Sequence, residues 1–94
     1  MPGVGDRRER IEAALRERLG ARHVEVIDES ALHAGHAGAA SGGGHFRALV
    51  VSQAFEGHSL LERQRQVYAA LRPEMGSEIH ALSLRTLTPA EWGR

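Results

Sequence analysis

The side chains in this sequence that are best suited to bind a metal ion are histidines, because the chain contains no cysteine. Imidazole is the commonest metal ligand in proteins. His33 and His36 lie in residues 29–44, a segment rich in Gly, Ala and Ser without helical or strand periodicity. Long loops in small domains are often functional. The pair therefore suggests a metal site, and a purely structural loop is the alternative. The other histidines are His23, His45, His58 and His80.

The absence of nucleophiles argues against an enzyme. A covalent mechanism would need an activated residue such as a cysteine thiolate or a Schiff-base lysine, and the sequence contains neither. It also lacks the G-x-S-x-G nucleophile elbow. Ser59 and the histidines form no recognisable triad in the sequence. We therefore expect a binding function rather than catalysis.

The charge balance of the chain is even. Twelve arginines are matched by twelve acidic residues, which gives a net charge of zero. A domain that grips nucleic acid usually carries net positive charge, because phosphate contacts dominate its affinity. Global attraction to nucleic acid is therefore not expected, although a local basic patch is compatible with this composition.

The hydrophobic pattern predicts one α+β domain over residues 1–94, with residues 1–5 disordered and 29–44 a flexible loop. Alternation of apolar residues predicts a strand at 23–28, and short apolar stretches predict strands at 46–52 and 79–85. Helical spacing predicts a first helix that ends at Gly20 and a second helix over 59–72. Thr88-Pro89 followed by Glu91 predicts a short final helix. The order is α-β-β-α-β-α, or α-β-β-α-α-β-α if the middle helical stretch is divided.

The sequence shows neither a membrane-spanning run nor the apolar core of a signal peptide at MPGVGDRRER, so the expected location is the cytoplasm.

Taken together, the short motifs of the chain strongly resemble the BolA family. The resemblance runs in the same order from about Arg8 to Trp92. It rests on His45-Phe46, the F-x-G-x-S element Phe55-Gly57-Ser59, Arg63 with Arg65, Val67-Tyr68, Ile79-His80-Ala81-Leu82, Thr88-Pro89 and Glu91-Trp92. Asp28-Glu29-Ser30 followed by His33 is similar to the family's first interstrand loop.

This resemblance implies a fold similar to class II KH domains, with a three-stranded mixed sheet and helices on one face. The strands at 46–52 and 79–85 would be parallel. Nucleic-acid-binding KH domains approach the phosphate backbone through a G-x-x-G loop. No glycine occurs between Gly57 and Gly76, so that loop is missing here.

The resemblance also implies an adaptor that shares a [2Fe–2S] cluster with a monothiol glutaredoxin. The partner's cysteine and its bound glutathione would supply sulfur ligands, and this chain would supply nitrogen, since imidazoles can replace two thiolates on one iron. By the family match His80 is one ligand. His33 is the expected loop ligand and His36 its alternative. From the residues alone, a strand histidine such as His80 more often has a structural role.

A second function that the resemblance implies is transcriptional regulation through DNA. Arg63, Arg65 and Arg72 would then face phosphates, with residues 57–72 acting like a helix-turn-helix. The zero net charge and the missing G-x-x-G loop weigh against it. The partners considered are therefore a monothiol glutaredoxin, weakly bound DNA and a second copy of the chain, with no membrane.

Overall fold

A computed structural model describes residues 7–29 and 44–93 of the chain. The α+β order expected from the sequence is confirmed, and a 3₁₀ turn precedes the middle helix. In chain order the elements are α1 (Arg7–Leu19), β1 (His23–Asp28), β2 (Gly44–Val51), the 3₁₀ turn (Gln53–Phe55), α2 (Leu60–Ala70), β3 (Ile79–Leu87) and α3 (Pro89–Trp92). The predicted disordered lead at 1–5 and nearly all of the predicted loop at 29–44 lie outside the described residues.

The three strands form one mixed sheet in the order β1-β2-β3. β1 pairs with β2 antiparallel, and β2 pairs with β3 parallel, as predicted. β1 has the predicted bounds, whereas β2 begins two residues earlier than predicted and β3 ends two residues later. Both differences arise because pairing reaches from Gly44 opposite Ile79 to Val51 opposite Leu87, so the partner strand rather than the apolar pattern sets the length.

The hydrophobic core lies between one face of the sheet and the helices α1 and α2. Alternate strand residues point toward these helices, as the period of two in a strand requires. The principal helices therefore cover one face, as expected. The buried cluster consists of Ile11, Ala14 and Leu15 of α1, Val24 and Val26 of β1, Phe46, Ala48 and Val50 of β2, Val67 of α2, and Phe55, Leu71 and Ile79.

The helix ends follow local rules that the sequence carries. Gly20 has φ of 61° after the last residue of α1, a conformation that favours glycine. Thr88 caps α3 by accepting a hydrogen bond from the backbone of Glu91, with Pro89 at the first turn, as predicted. Arg18 of α1 donates to the carbonyl of Ala70 and to Glu74, at 2.8 and 2.9 Å, and so ties α1 to the segment after α2.

The sheet face opposite α1 and α2, called the open face below, carries the remaining alternate residues. These are His23, Glu25 and Ile27 of β1, His45, Arg47, Leu49 and Val51 of β2, and Ala81, Ser83, Arg85 and Leu87 of β3. At one end of this face Trp92 stacks on His23, with ring centroids 4.7 Å apart. Val51, the register partner of His23, is fully buried there.

The longest helix of the described residues, α1, has 13 residues, and no helix in that part of the chain is both long and apolar enough to cross a membrane.

Candidate functional site

The candidate site is built around His80 at the start of β3. Gly44 pairs with Ile79, but His45 pairs with Ala81, so β3 holds one extra residue at this point. That residue is His80, in a bulge. Bulges bend a strand and redirect a side chain, and they are frequent beside functional sites. His80 is exposed, and its imidazole lies against that of His45, with ring centroids 5.3 Å apart and planes inclined by 46°.

The backbone before His80 is held firmly. Ile79 is completely buried in the core. Its N–H donates to the carbonyl of Glu74 at 3.0 Å, and its own carbonyl accepts from the N–H of Gly76 at 2.9 Å. Gly76 has φ of 89°, which a residue with a side chain rarely adopts. His80 therefore projects from a fixed base, which limits the conformational entropy that it would lose on binding.

The predicted loop ligands His33 and His36 lie outside the described residues, but both ends of their segment are placed. The N–H of Glu29 donates to the carbonyl of His45 at 2.8 Å. The N–H of Gly44 donates to the carbonyl of Glu78 at 3.0 Å. Both ends are thus anchored at the His80 end of the sheet. His33 follows Glu29 by four residues, and four residues of fully extended chain span about 13 Å.

The donor set fits a cluster shared with another protein and not one held by this chain alone. A [2Fe–2S] cluster needs four ligands, usually thiolates, and imidazoles can replace two. The chain has no cysteine. Within residues 7–29 and 44–93 no group of three or more His, Asp or Glu side chains could hold a metal ion. One exposed imidazole at His80 can contribute a single nitrogen, and the remaining ligands must come from elsewhere.

Two other histidines have structural partners. His23 stacks on Trp92 and lies 2.7 Å from the carboxylate of Glu25. Nδ1 of His58 lies 3.2 Å from Oε1 of Glu62 at the start of α2. Trp92 thus packs against the sheet through a ring contact with His23.

The three arginines that were predicted to contact DNA differ in whether their guanidinium groups are available to bind phosphates. Nε of Arg63 donates to the carbonyl of His58 at 3.0 Å, and Nη1 donates to the carbonyl of Thr86 at 3.2 Å and to Glu91 at 3.0 Å. The side chain is only 11% exposed. Arg63 therefore joins α2 to β3 and α3. Arg65 and Arg72 are exposed at the surface.

Sequence reasoning overlooked the capping box of α2. The hydroxyl of Ser59 accepts from the N–H of Glu62 at 3.2 Å, and the carboxylate of Glu62 accepts from the N–H of Ser59 at 2.9 Å. The hydrogen bond from the backbone N–H of Ser59 is the main reason why the pKa of Glu62 lies below its ordinary value, and the contact with His58 is the second. The spacing S-x-x-E before an apolar helix was the available signal. Ser59 thus has a structural role.

The open face contains a shallow basin of about 320 Å³ that the sequence did not reveal. Its lining includes Glu25, Ile27, Arg47, Leu49, Ser83 and Arg85. The available signal was the alternation of these residues with the core residues Val26, Ala48 and Leu84. The basin is formed by residues of all three strands, so the residue pattern within one strand does not predict it.

Comparison with known proteins gives consistent matches. The family model described as BolA-like protein matches residues 15–91. The DNA-binding transcriptional regulator BolA of Escherichia coli (strain K12) is 42% identical over 85 residues, which cover 90% of this chain and 78% of that protein. BolA-like protein 1 of Homo sapiens is 45% identical over 83 residues, 87% of this chain and 61% of that protein. The present chain thus spans about three fifths of the human protein.

A solved structure shares the fold. The BolA domain of SufE1 from Arabidopsis thaliana superposes with a TM-score of 0.79 at 42% identity, covering 94% of this chain and 98% of that chain.

Proposed function

Because the chain belongs to the BolA-like protein family, we propose that it is a non-enzymatic adaptor in iron–sulfur cluster trafficking. In this function it forms a heterocomplex with a monothiol glutaredoxin in the cytoplasm, and a [2Fe–2S] cluster is the cargo shared between the two proteins. The names of the matched relatives describe a regulator and BolA-like proteins. They agree with a binding rather than a catalytic function.

The observation that carries this proposal is the exposed imidazole of His80 on a rigid bulge beside His45. A ligand whose direction is fixed before binding loses little freedom on coordination. The partner then has to supply the sulfur ligands, through its cysteine and its bound glutathione. With nitrogen ligands from this chain and sulfur ligands from the partner, a chain without any cysteine can take part in binding a cluster.

The second nitrogen ligand comes from the segment between β1 and β2. His33 is the first candidate and His36 the alternative. The anchored ends of this segment, at Glu29 and Gly44, support the assignment because both lie at the His80 end of the sheet. Ordering a glycine-rich segment costs conformational entropy, so the loop ligand contributes less to affinity than His80 does.

The test is to mix the chain with a holo monothiol glutaredoxin that carries glutathione and to record visible circular dichroism. We expect a new cluster spectrum together with a 1:1 heterocomplex in size-exclusion chromatography. The His80→Ala variant is the decisive comparison, and His58→Ala, another exposed histidine, is its matched control. A wild-type mixture with the spectrum and mass of the glutaredoxin alone would contradict the adaptor function.

The alternative function is DNA binding, which the name of the Escherichia coli relative suggests. Two observations bear on it. Arg65 and Arg72 are exposed and available to phosphates, whereas the hydrogen bonds of Arg63 to His58, Thr86 and Glu91 occupy its guanidinium. With a net charge of zero, and with two of the three candidate arginines available, such binding is weak. We therefore rank it below the adaptor function.

A further inference from the structure

We propose that the open face of the sheet is the surface on which the glutaredoxin docks, through a patch of the partner that combines apolar side chains with a carboxylate. The basin formed by Ile27, Arg47, Leu49, Ser83 and Arg85 would receive this patch. The inference rests on the proposed function and deepens it, since it names the surface and the chemistry of the partner that fits it.

The position of the His80 ring indicates from which side of the sheet the partner approaches. The ring of His80 lies against the ring of His45. His45 alternates with Phe46, which points into the core below α1 and α2, so His45 belongs to the open face. A cluster bound by His80 therefore lies on the open side of the sheet. A partner that holds the other cluster ligands must approach from the same side.

The interface with the partner must cover a much larger surface than the imidazole of His80. A stable heterocomplex buries about 800 Å² on each partner. Arg85 follows His80 by five residues along β3, a distance of about 17 Å, which is within the width of such an interface. Next to the histidines, the nearest surface on this side is formed by Arg47, Ser83 and Ile27.

One ion pair and one hydrogen bond of a histidine shape the basin. Nε of Arg47 donates to Glu29 at 3.0 Å, toward the His80 end of the sheet. The carboxylate of Glu25 lies 2.7 Å from His23, toward the opposite end. The side chains of Arg47 and Glu25 thus extend in opposite directions. Leu49 forms the floor of the basin between them, and Ile27 beside it is 53% exposed. An apolar side chain of the partner can enter this gap.

The charges around the basin favour an acidic partner. Glu29 forms an ion pair with Arg47, and the carboxylate of Glu25 is hydrogen bonded to the ring of His23. Arg85, by contrast, forms no ion pair with any other residue in 7–29 or 44–93 and is exposed at the rim. A guanidinium binds a carboxylate with two parallel hydrogen bonds. An Asp, a Glu or a chain-terminal carboxylate of the partner would complement it.

The main competing surface is the exposed side of α2, which carries Leu60, Leu61 and Tyr68, at 67, 56 and 40% exposure. It offers more apolar area than the basin does. However, α2 packs on the core face, so this surface lies on the other side of the sheet from the ring of His45. A partner seated on α2 would have to reach around the edge of β3 to share a cluster with His80.

The test compares charge reversal on the two sides of the sheet. Arg85→Glu and Ile27→Asp change the open face, and Arg65→Glu and Leu61→Asp are the matched changes on α2. For each variant, isothermal titration calorimetry with the holo glutaredoxin gives the Kd, and visible circular dichroism at saturation reports the cluster environment. We expect Arg85→Glu to raise the Kd at least tenfold and Arg85→Gln to raise it less, whereas Arg65→Glu changes it less than twofold. The saturated cluster spectrum stays unchanged.

Three outcomes would count against the surface. If the wild-type complex forms and Arg85→Glu binds as tightly as Arg65→Glu, the open face is not the docking surface, although the adaptor function stands. A larger loss from Leu61→Asp than from both open-face variants would assign docking to α2. If the wild-type chain forms no cluster-bearing complex, the adaptor function and the surface both fail. Thermal unfolding of every variant separates a lost contact from a lost fold.

Discussion

The imidazole rings of His45 and His80 lie 5.3 Å apart on neighbouring strands, beside the β-bulge at which the register of β2 and β3 shifts. Strict alternation would place Ile79 and Leu82, three positions apart, on opposite faces of the sheet. The extra residue lets both pack on the core and sets Ala81 opposite His45 on the open face. Both ends of the segment between β1 and β2, Glu29 and Gly44, are hydrogen bonded at the same end of the sheet.

The first prediction concerns His80. We expect His80→Ala to abolish the shared cluster or to shorten its lifetime at least tenfold, because the rigid nitrogen ligand is lost. His58→Ala, which removes an exposed histidine at the start of α2, should leave the cluster unchanged. Visible circular dichroism and the rate of absorbance loss measure both effects. An unchanged spectrum for His80→Ala in a complex that still forms would make His80 a structural residue.

The second prediction concerns the segment between β1 and β2. His33→Ala should give a labile cluster with an altered spectrum rather than no cluster, because His36 can take its place and because ordering the segment already reduces the contribution of this ligand. The His33→Ala/His36→Ala double variant should be weaker than either single variant. Cluster lifetimes of the four heterocomplexes check this. Equal lifetimes throughout would exclude both histidines as ligands.

The third prediction concerns Arg63, whose guanidinium links α2 to β3 and α3. Arg63→Met keeps the aliphatic stem but removes every donor, and the carbonyl of Thr86 loses its partner. Hydrogen bonds to a charged group contribute about 1.5 to 3 kcal/mol each. Because the bonds to His58 and Glu91 are exposed and only the bond to Thr86 is partly buried, we expect the free energy of unfolding in urea to fall by about 2 to 3 kcal/mol, close to the value of one such bond. Arg65→Met, on the exposed side of the same helix, should change it by less than about 0.5 kcal/mol.

Most of the fold could be predicted from the sequence because each element is determined locally. Val24 and Val26 alternate with polar residues in β1, and Gly20 and Thr88 carry the turn and cap that bound helices. The ends of β2 and β3 could not be predicted in this way. Gly44 and Leu87 belong to strands only because each has a partner residue across the sheet, and pairing is a tertiary property.

Less of the candidate site could be predicted. His80 was identified through the family resemblance, and its role as a ligand stays a prediction, as do those of His33 and His36. The bulge at His80 depends on the register of two strands, which no local pattern shows. Arg63 is a similar case. Its position on a basic helix suggested phosphate contacts, whereas its actual neighbours, Thr86 and Glu91, come from a distant part of the chain.

The fourth prediction concerns the pH dependence of stability at Glu91. A hydrogen bond from the backbone of Thr88, followed by one from Arg63, holds the pKa of Glu91 below its ordinary value of 4.5. A carboxylate with a lowered pKa in the folded state stabilises the fold above its ordinary pKa. That contribution is lost as the pH falls through the lowered value. Glu91→Gln should therefore lose less stability than the wild type between pH about 5 and about 3.

Urea unfolding at several pH values in this range measures the difference. Glu17→Gln, at an exposed position of α1, is the control, and it should follow the wild-type pH dependence. If Glu91→Gln and the wild type lose the same stability on acidification, the ionised carboxylate of Glu91 does not contribute to the fold.

The last prediction concerns DNA. Any affinity should be weak and should fall steeply with salt, because only Arg65 and Arg72 of the three candidate arginines are available to phosphates. Each phosphate contact contributes about −0.9 to the slope of log K against log salt concentration, so two contacts predict a slope of about −2. Charge reversal of Arg65 and Arg72 should abolish binding without loss of stability, whereas reversal of Arg63 would also destabilise the fold. Fluorescence anisotropy with a labelled duplex measures this. Sequence-specific, nanomolar binding by the isolated chain at physiological salt would instead make DNA the principal partner.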